Sequence, residues 1–304
     1  VALNYTDGSS IWLVSLCSVL SRLPEVEVDL LLKAPLRRDV LSRELPASVR
    51  LHEPPSRRTP QAVAAALREL DEVEPFDVFI VRGRQIASFL VDQDDIRHRL
   101  WAYLTDVPQN PDQLGHENER ELRKILSGAS RVLCQTEDMR AWFAWLVPEC
   151  DRKLLLLPPM VPDDAFRPHS RPWLQNGLRL LYAGKFAPDW GFVEVVDRVK
   201  ALREAGMQVT LVVAGDKIHD PPDNPDFASS VRRALADPVV DWRGGLSRSA
   251  VFDLLDEADL AVSVRTSALD DSRELSTKLL EYAAAGVPVV ANRTSAHIEL
   301  FGAD

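Results

Sequence analysis

Short apolar runs alternate with amphipathic segments along almost the whole chain. Runs rich in Val, Leu and Ile predict buried strands, whereas apolar residues three and four positions apart predict helices that pack one face against a sheet. In the N-terminal half the pattern predicts strands at residues 26–32, 49–52, 78–81, 100–104, 131–134 and 153–157, and helices at residues 11–23, 61–73, 117–126 and 139–146.

A proline-rich stretch, residues 158–172, interrupts this alternation and is the predicted linker. Because strands alternate with helices on both sides of it, the chain is predicted to be α/β, with parallel sheets covered by helices. We predict two tandem Rossmann-like domains, residues 1–162 and 163–304, with a ligand cleft between them. After the linker the predicted strands are residues 179–183, 209–214, 239–242, 260–264 and 287–291, and the predicted helices are residues 193–205, 227–236 and 250–258, a helix around Glu281, and a final turn or helix from Ser295.

Composition and charge narrow the function. The 304 residues are 46% hydrophobic and 27% charged, as in ordinary soluble globular proteins. The formal net charge of −10 disfavours a nucleic-acid partner, because such binding depends on neutralising phosphates. No signal peptide is recognised, and no apolar run approaches the roughly 18 residues of a membrane-spanning helix.

The cysteines indicate the compartment. Cys17, Cys134 and Cys150 are odd in number, far apart and without metal-ligand spacing, so we expect a reducing cytosol. Cys17 and Cys134 lie in apolar patterns and are expected to be core thiols. The chain begins inside what resembles a first strand and loop and ends soon after a strand, so we expect both ends to be trimmed or disordered.

Residues 276–290 carry the most informative local signal. Ser276 and Thr277 are favoured N-cap residues, and Gly286 is a typical helix stop before an apolar strand. Free N–H groups at a helix start favour an anion, above all a phosphate. Glu281 lies one turn after Thr277 on the same face, where it can accept hydrogen bonds from a ribose. These residues predict a nucleotide-sugar site, although an ordinary helix with a solvated Glu281 explains them equally well.

This segment resembles the donor-binding motif of the GT-B glycosyltransferases, specifically the retaining family 4, or glycosyltransferases group 1. The resemblance covers nearly the whole chain and is stronger over residues 178–301 than over residues 1–160. The family usually has a C-terminal tail that crosses back to the first domain, and we expect this chain to lack it. The other matching segments, in the expected order, are the interdomain crossover at residues 157–162 and 166–168, the strand and Gly-Lys/Arg loop that open the C-terminal domain at residues 180–185, the next strand and turn at residues 212–216, and the turn at residues 245–248.

Two positions depart from the family pattern. The family commonly carries two Glu residues separated by seven positions. The second matches Glu281, but the first falls on Arg273, with Glu274 one residue late. A Lys that the family often places before the following glycine is replaced by Trp190, which precedes Gly191. Some branches of the family have a Thr-Lys pair at the helix start, and this chain resembles them.

The resemblance implies a retaining glycosyltransferase that moves a sugar from a nucleoside-diphosphate sugar to an unidentified acceptor, without a metal or other cofactor. It also implies that Lys185 and Lys278 stabilise the departing diphosphate and that Glu281 holds the ribose. The implied donor-binding residues are Gly8, Gly184, Lys185, Arg265, Ser276, Thr277, Lys278 and Glu281, and the candidate catalytic residues are Asp106 and Lys185.

Several of these candidates have plainer interpretations. Gly184 and Lys185 could be a strand-to-loop glycine and a surface lysine, and Lys278 could be a solvated helix residue. Asp106 could bind a sugar hydroxyl, assist the acceptor as a base, or form an Asx turn before Pro108.

Gly8 belongs to a loop, residues 7–10, that resembles the family's Gly-rich loop facing the leaving phosphate and the acceptor. An N-cap of the following helix by Ser9 or Ser10 explains this loop equally well.

The expected acceptor is a glycan, a lipid-linked molecule or a small molecule, held by the first domain. Residues 30–43 carry Lys33, Arg37, Arg38 and Arg43 among apolar residues and could contact an anionic membrane at the inner face, although a solvated face is preferred. Two alternatives stay open: a nucleotide-sugar epimerase on the same fold, and a non-catalytic GT-B binding module. Donor turnover separates these three functions.

Overall fold

The computed structural model describes residues 3–5, 7–105, 107, 114–161, 163–167, 177–219 and 221–302. Below, the N-terminal half means the described residues up to 161, and the C-terminal half means those from 163 onward. All strand pairs of the named sheets are parallel, and helices lie between most successive strands. The predicted α/β fold is confirmed.

The N-terminal half contains the strands β1 (Asp29–Leu31), β2 (Arg50–His52), β3 (Phe79–Arg82), β4 (Leu100–Tyr103), β5 (Arg131–Cys134) and β6 (Leu154–Leu156), and the helices α1 (Gly8–Leu20), α2 (Pro60–Val73), α3 (Arg84–Leu90), α4 (Asp94–Arg97), α5 (His116–Gly128) and α6 (Glu137–Leu146). Strands β1 and β2 form a two-stranded sheet, and β3 to β6 form a four-stranded sheet in chain order. A largely apolar cavity of about 140 Å³ lies between β1 and β3.

Two helices of this half, α3 and α4, escaped prediction. They are seven and four residues long, too short to display a helical period. Helix α3 follows Gly83, whose φ of +117° favours glycine and lets the chain turn directly from β3 into the helix. All the strands and helices that the sequence did predict in this half are confirmed, with boundaries shifted by a few residues.

The C-terminal half contains the strands β7 (Leu178–Ala183), β8 (Val209–Ala214), β9 (Val240–Trp242), β10 (Leu260–Ser263) and β11 (Val289–Ala291), and the helices α7 (Phe192–Glu204), α8 (Phe227–Leu235), α9 (Arg248–Asp256), α10 (Thr277–Ala284) and α11 (Ser295–Phe301). They form one five-stranded sheet in the order β11-β10-β7-β8-β9. The chain winds outward from β7 through β8 to β9, and then on the other side through β10 to β11. The connections diverge between β7 and β10, and such a point forms a ligand crevice at the carboxyl ends of the strands.

Both faces of the five-stranded sheet are buried. On one face the rings of Tyr182, Phe186 and Phe192 pack together, with centroids 4.6–6.0 Å apart. On the other face the Tyr282 hydroxyl donates to the Ala183 carbonyl oxygen at 3.2 Å and accepts from the Ala183 N–H at 2.9 Å. These two hydrogen bonds fix α10 against the end of β7.

The three cysteines are buried free thiols, as expected for Cys17 and Cys134. Burial raises the pKa of Cys17 to about 11 and that of Cys134 to about 12, so both stay protonated at neutral pH. Within the described residues, no His, Cys, Asp and Glu side chains gather into a group that could hold a metal ion. None of the helices described here is long and apolar enough to cross a bilayer.

The predicted linker is described only in part. Ala165 is buried in the core of the C-terminal half, and Nη1 of Arg167 lies 3.0 Å from Oδ2 of Asp256 on α9. Pro162 and residues 168–172 lie outside the described residues. The division into domains at residue 162 therefore stays a prediction.

Candidate active site

A cleft of about 170 Å³ lies between the two halves, where β7 and β10 end. Its walls come from the start of α1, the loops after β7, β8 and β10, and the N-terminus of α10. The structure brings every predicted donor-binding residue to this cleft, although their roles in binding stay predictions. The residues are Gly8, Gly184, Lys185, Arg265, Ser276, Thr277, Lys278 and Glu281.

Helix α10 begins at the cleft without a side-chain cap. Ser276 occupies the N-cap position with an extended backbone, at φ −74° and ψ 116°, but its hydroxyl makes no capping hydrogen bond. Asp7 and Thr136, in contrast, cap α1 and α6 with their side chains. The electropositive start of α10 therefore faces the cleft with backbone N–H groups available to an anion.

Lys278 adds a buried positive charge at the same helix start. Its Nζ atom is buried, has no hydrogen-bond partner among the described residues, and lies 4.5 Å from the Tyr182 ring centroid. A Cβ atom on Gly184 would lie 3.6 Å from this Nζ atom. Burial, followed by the charges of Arg265 and Lys185, lowers the pKa of Lys278 to about 7. The interpretation of Lys278 as a solvated residue is wrong, because the ammonium is enclosed and uncompensated.

Two more cations contact the ring of Trp190. Nζ of Lys185 lies 4.2 Å from the ring centroid, and Cζ of Arg265 lies 5.4 Å from it. Burial is the main cause that lowers the pKa of both side chains. Trp190 stands where the family that the sequence resembles often has a lysine. Here an aromatic ring holds two existing cations by cation–π contact instead of adding a third.

Glu281 is buried beneath the cleft, with 7% of its surface exposed. Nε of Arg248 donates to Oε1 of Glu281 at 2.7 Å, and Nη2 lies 2.7 Å from the same oxygen. Burial raises the pKa of Glu281, and the charge and hydrogen bond of Arg248 oppose that rise. The alternative of a solvated Glu281 on an ordinary helix is therefore wrong, while a role in ribose binding stays a prediction.

The loop before α1 brings the N-terminal half to the cleft. Oδ1 of Asp7 accepts from the N–H groups of Ser9 and Ser10 at 3.1 and 3.0 Å. Asp7 is therefore the N-cap, and the alternative of a cap by Ser9 or Ser10 is wrong. A Cβ atom on Gly8 would lie 3.5 Å from Oγ1 of Thr277. The glycine thus lies directly opposite the start of α10.

Two ion pairs join the halves at the edge of the cleft. Nζ of Lys217 lies 2.5 Å from Oδ2 of Asp7, and Nη1 of Arg38 lies 2.6 Å from Oδ2 of Asp216. Burial raises the pKa of Asp7, but Lys217 and the capping hydrogen bonds outweigh it, so the pKa lies below its usual value. Within the basic segment 30–43, Arg38 is thus engaged at the cleft, and membrane contact of this segment stays a prediction.

The departures at residues 273 and 274 have a structural explanation. Arg273 points to the N-terminal half, where Nε lies 3.2 Å from Oδ2 of Asp138 and Cζ lies 5.1 Å from the Trp142 ring centroid. The Thr136 hydroxyl donates to the Arg273 carbonyl oxygen at 3.0 Å. Glu274, one residue later, lines the cleft. The family's first Glu position therefore serves as a contact between the halves, and the neighbouring carboxylate faces the site.

Asp106, the candidate base, lies outside the described residues, so its assignment stays a prediction.

Sequence reasoning also missed several charged residues that line the cleft. Arg248 is the last residue of the matching turn at residues 245–248 but had no chemistry assigned to it, and Arg38 was considered only for membrane contact. A local pattern carries no signal for such residues, because their partners lie far away in the sequence. The missed charged residues are Asp7, Arg38, Arg82, Asp216, Lys217 and Arg248.

Two α/β halves that face each other across a ligand cleft define the GT-B fold. The structure is similar to that of Anabaena HepE in complex with UDP-glucose, with a TM-score of 0.73 and 15% identity over 99% of this chain and 81% of that one. It is also similar to WaaG, a glycosyltransferase involved in lipopolysaccharide biosynthesis, with a TM-score of 0.61 and 16% identity over 94% of this chain and 79% of that one. At these identities the likeness establishes the fold, and the predicted GT-B architecture is confirmed.

The sequence comparison adds a family match for the C-terminal half. Residues 177–303 match the family described as glycosyl transferases group 1, which confirms the resemblance over this half. A GDP-mannose-dependent alpha-(1-6)-phosphatidylinositol dimannoside mannosyltransferase of Mycobacterium tuberculosis, strain ATCC 25177 / H37Ra, is 32% identical over 128 residues. That alignment covers 42% of this chain and 30% of the relative, so the chain matches less than a third of that protein's length.

Proposed function

We propose that this protein is a glycosyltransferase that moves a sugar from a nucleoside-diphosphate sugar to an acceptor hydroxyl. The observation that carries the proposal is Lys278, whose ammonium is buried without a hydrogen-bond partner among the described residues at the uncapped start of α10. Burying an uncompensated charge is costly. A diphosphate bound at this point supplies the missing counter-charge, and it also accepts hydrogen bonds from the helix start.

The same groups provide a mechanism. Negative charge develops on the diphosphate as its bond to the sugar breaks, and fixed cations and N–H groups aimed at that charge lower the barrier. We assign this role to Lys185, Lys278 and Arg265 together with the start of α10. We assign the ribose to Glu281 and the acceptor proton to Asp106 as base. These cations supply the positive charge that the departing diphosphate needs, so we propose a reaction without a bound metal. We propose retention of the anomeric configuration because the chain resembles the retaining family 4.

The relatives suggest which substrates to try. The mycobacterial relative is named for GDP-mannose and a phosphatidylinositol mannoside, and HepE was solved with UDP-glucose. We therefore propose a nucleotide-sugar donor of one of these kinds and a glycan or lipid-linked acceptor bound by the N-terminal half. We also propose a cytoplasmic location, with residues 30–43 as the surface for any contact with the inner membrane face.

The test combines binding and turnover. Titration calorimetry with UDP and GDP is expected to give saturable binding to the unaltered protein and at least tenfold weaker binding to Lys278→Met, because one charge-assisted contact is worth roughly 1.5–3 kcal/mol. Lys200→Met is the matched control, since Lys200 does not line the cleft, 44% of its side chain is exposed, and its Nζ lies 3.4 Å from Oδ2 of Asp237. Equal affinities for the two variants would contradict the proposed phosphate site.

Turnover distinguishes the three functions. UDP-glucose and GDP-mannose are incubated with the protein and a panel of glycan and glycolipid acceptors, and the products are identified by mass spectrometry and NMR. A glycosyltransferase releases the nucleoside diphosphate and glycosylates an acceptor. Release of an epimerised nucleotide sugar, or binding without any turnover, would replace the proposal by an epimerase or a binding module.

A further inference from the structure

We propose that Arg248 is a positioning residue that pairs with the Glu281 carboxylate and holds it oriented toward the ribose of the nucleotide. The proposal rests on the proposed function, because it takes Glu281 as the ribose-binding group. It assigns a role to a residue for which the sequence offered none.

The local structure fixes Arg248 in place. It is the first residue of α9, directly after the N-cap Ser247, whose hydroxyl accepts from the Ala250 N–H at 3.3 Å. Only 6% of its surface is exposed, although the first turn of a surface helix usually leaves an arginine in solvent. The side chain is instead directed inward to α10.

The contacts of the guanidinium are specific to one oxygen of Glu281. Nε and Nη2 both lie 2.7 Å from Oε1, and no described residue makes a hydrogen bond to Oε2. One carboxylate oxygen is thus held by the protein, and the other can accept from a ligand hydroxyl. A carboxylate held in this way keeps its orientation before the nucleotide arrives, which reduces the entropic cost of binding.

Arg248 also links this carboxylate to the N-terminal half. Its Nη1 atom donates to Oγ of Ser15 on α1 at 3.3 Å. One guanidinium therefore contacts Glu281 on α10 and Ser15 on α1 of the N-terminal half at the same time. The orientation of Glu281 consequently depends on the contact between the halves, as expected where closure of a cleft completes a binding site.

The charges around Glu281 determine how its pKa changes when Arg248 is removed. Burial disfavours the carboxylate, and Glu44, from the short helix Ser42–Glu44 of the N-terminal half, disfavours it further. Arg248 is the cation that opposes both effects. Without it, the pKa of Glu281 rises further, which favours the protonated form and weakens the side chain as an acceptor for ribose hydroxyls.

The test compares UDP or GDP with inorganic pyrophosphate, which has no ribose. At pH 7, Arg248→Gln is expected to weaken nucleoside diphosphate binding roughly 10- to 150-fold and pyrophosphate binding less than about threefold. The loss relative to the unaltered protein at the same pH should shrink as pH rises, because a higher pH offsets the further rise in the pKa of Glu281 that the substitution causes. Arg243→Gln is the matched control, since Arg243 is an exposed arginine paired with Asp241 shortly before α9, and it should change neither affinity.

Other variants keep the result interpretable. Arg248→Lys keeps a cation and should lose less than Arg248→Gln, without the pH-dependent recovery. In a Glu281→Gln background, Arg248→Gln should add little further loss, since the two residues act as a unit. Equal losses for pyrophosphate and the nucleoside diphosphate, or a loss independent of pH, would overturn the role of Arg248. Absence of nucleoside diphosphate binding to the unaltered protein would instead overturn the proposed function.

Discussion

Replacing Lys278 by methionine is expected to stabilise the fold and to weaken donor binding at the same time. Methionine keeps the unbranched apolar stem and removes the ammonium. The ammonium is buried against Tyr182 and has no hydrogen-bond partner among the described residues. The charge destabilises the protein without a ligand but is needed to bind the diphosphate. Its removal should therefore raise stability and lower donor affinity.

The size of the stabilisation follows from the pKa of Lys278. Burial is the main cause that lowers this pKa from 10.5 to about 7. At about 1.4 kcal/mol per pH unit, the lowered pKa corresponds to about 5 kcal/mol. We therefore expect Lys278→Met to raise the free energy of unfolding by up to about 5 kcal/mol at pH 7.

The stabilisation by Lys278→Met should depend on pH, whereas a simple change in packing would stabilise the fold equally at every pH. Below pH 7 the folded and unfolded states both carry the proton on Lys278, so the full cost of the buried charge is present. Between pH 7 and 10.5 the unfolded state binds more protons, and the stability of the unaltered protein rises with pH. The advantage of Lys278→Met is thus largest at and below pH 7 and shrinks at higher pH.

Urea unfolding followed by tryptophan fluorescence at pH 6.5, 7.5 and 8.5 measures these differences. Lys200→Met serves as the control, because it removes a lysine whose side chain is 44% exposed and should leave the free energy of unfolding almost unchanged. The reasoning is refuted if Lys278→Met is no more stable than this control, or if its advantage does not decline with pH. In either case Lys278 is not an uncompensated buried cation.

Three further predictions concern the donor. Lys185→Ala should lower donor turnover at least tenfold with little change in stability, since a charge-assisted phosphate contact is worth roughly 1.5–3 kcal/mol, and unchanged kinetics would make Lys185 a bystander. Glu281→Ala should weaken donor binding roughly 10- to 150-fold, and the variant should bind a donor and its 2′,3′-dideoxyribose analogue equally well. If the variant still discriminates between them as the unaltered protein does, the carboxylate has only a structural role. Nucleoside diphosphate affinity should fall as pH rises above 7, because Lys278 is then largely neutral and must take up a proton when the diphosphate binds. Calorimetry at pH 8 in buffers of different ionisation enthalpy should detect this proton uptake. Its absence would contradict the contact between Lys278 and the diphosphate.

The doubly wound C-terminal half could be predicted from the sequence because its strands are buried on both faces. Residues such as Leu181, Val212 and Ala261 must then be apolar without interruption, and the helices between them must be amphipathic. The helix containing Glu281 was equally predictable, since its start and stop residues are local signals. Local signals therefore located the elements and the part of the site that sits on α10.

The remaining features depend on contacts between distant residues. Arg248 meets Glu281 across 33 positions and Ser15 across 233 positions, so no local period marks it. Asp7 precedes α1 as its cap, although Ser9 and Ser10 offered the same chemistry nearby, and only the backbone geometry selects among them. The direction of Arg273 is likewise set by Asp138 on the facing half. The halves had to be placed together before these roles could be recognised.

A crystal structure with UDP or GDP bound tests the central claim most directly. We predict that the two phosphates lie at the start of α10, within hydrogen-bond distance of Nζ of Lys278 and of the first N–H groups of the helix, with the ribose hydroxyls near Glu281. A diphosphate bound elsewhere on the chain, with Nζ of Lys278 making no hydrogen bond to it, would contradict the account.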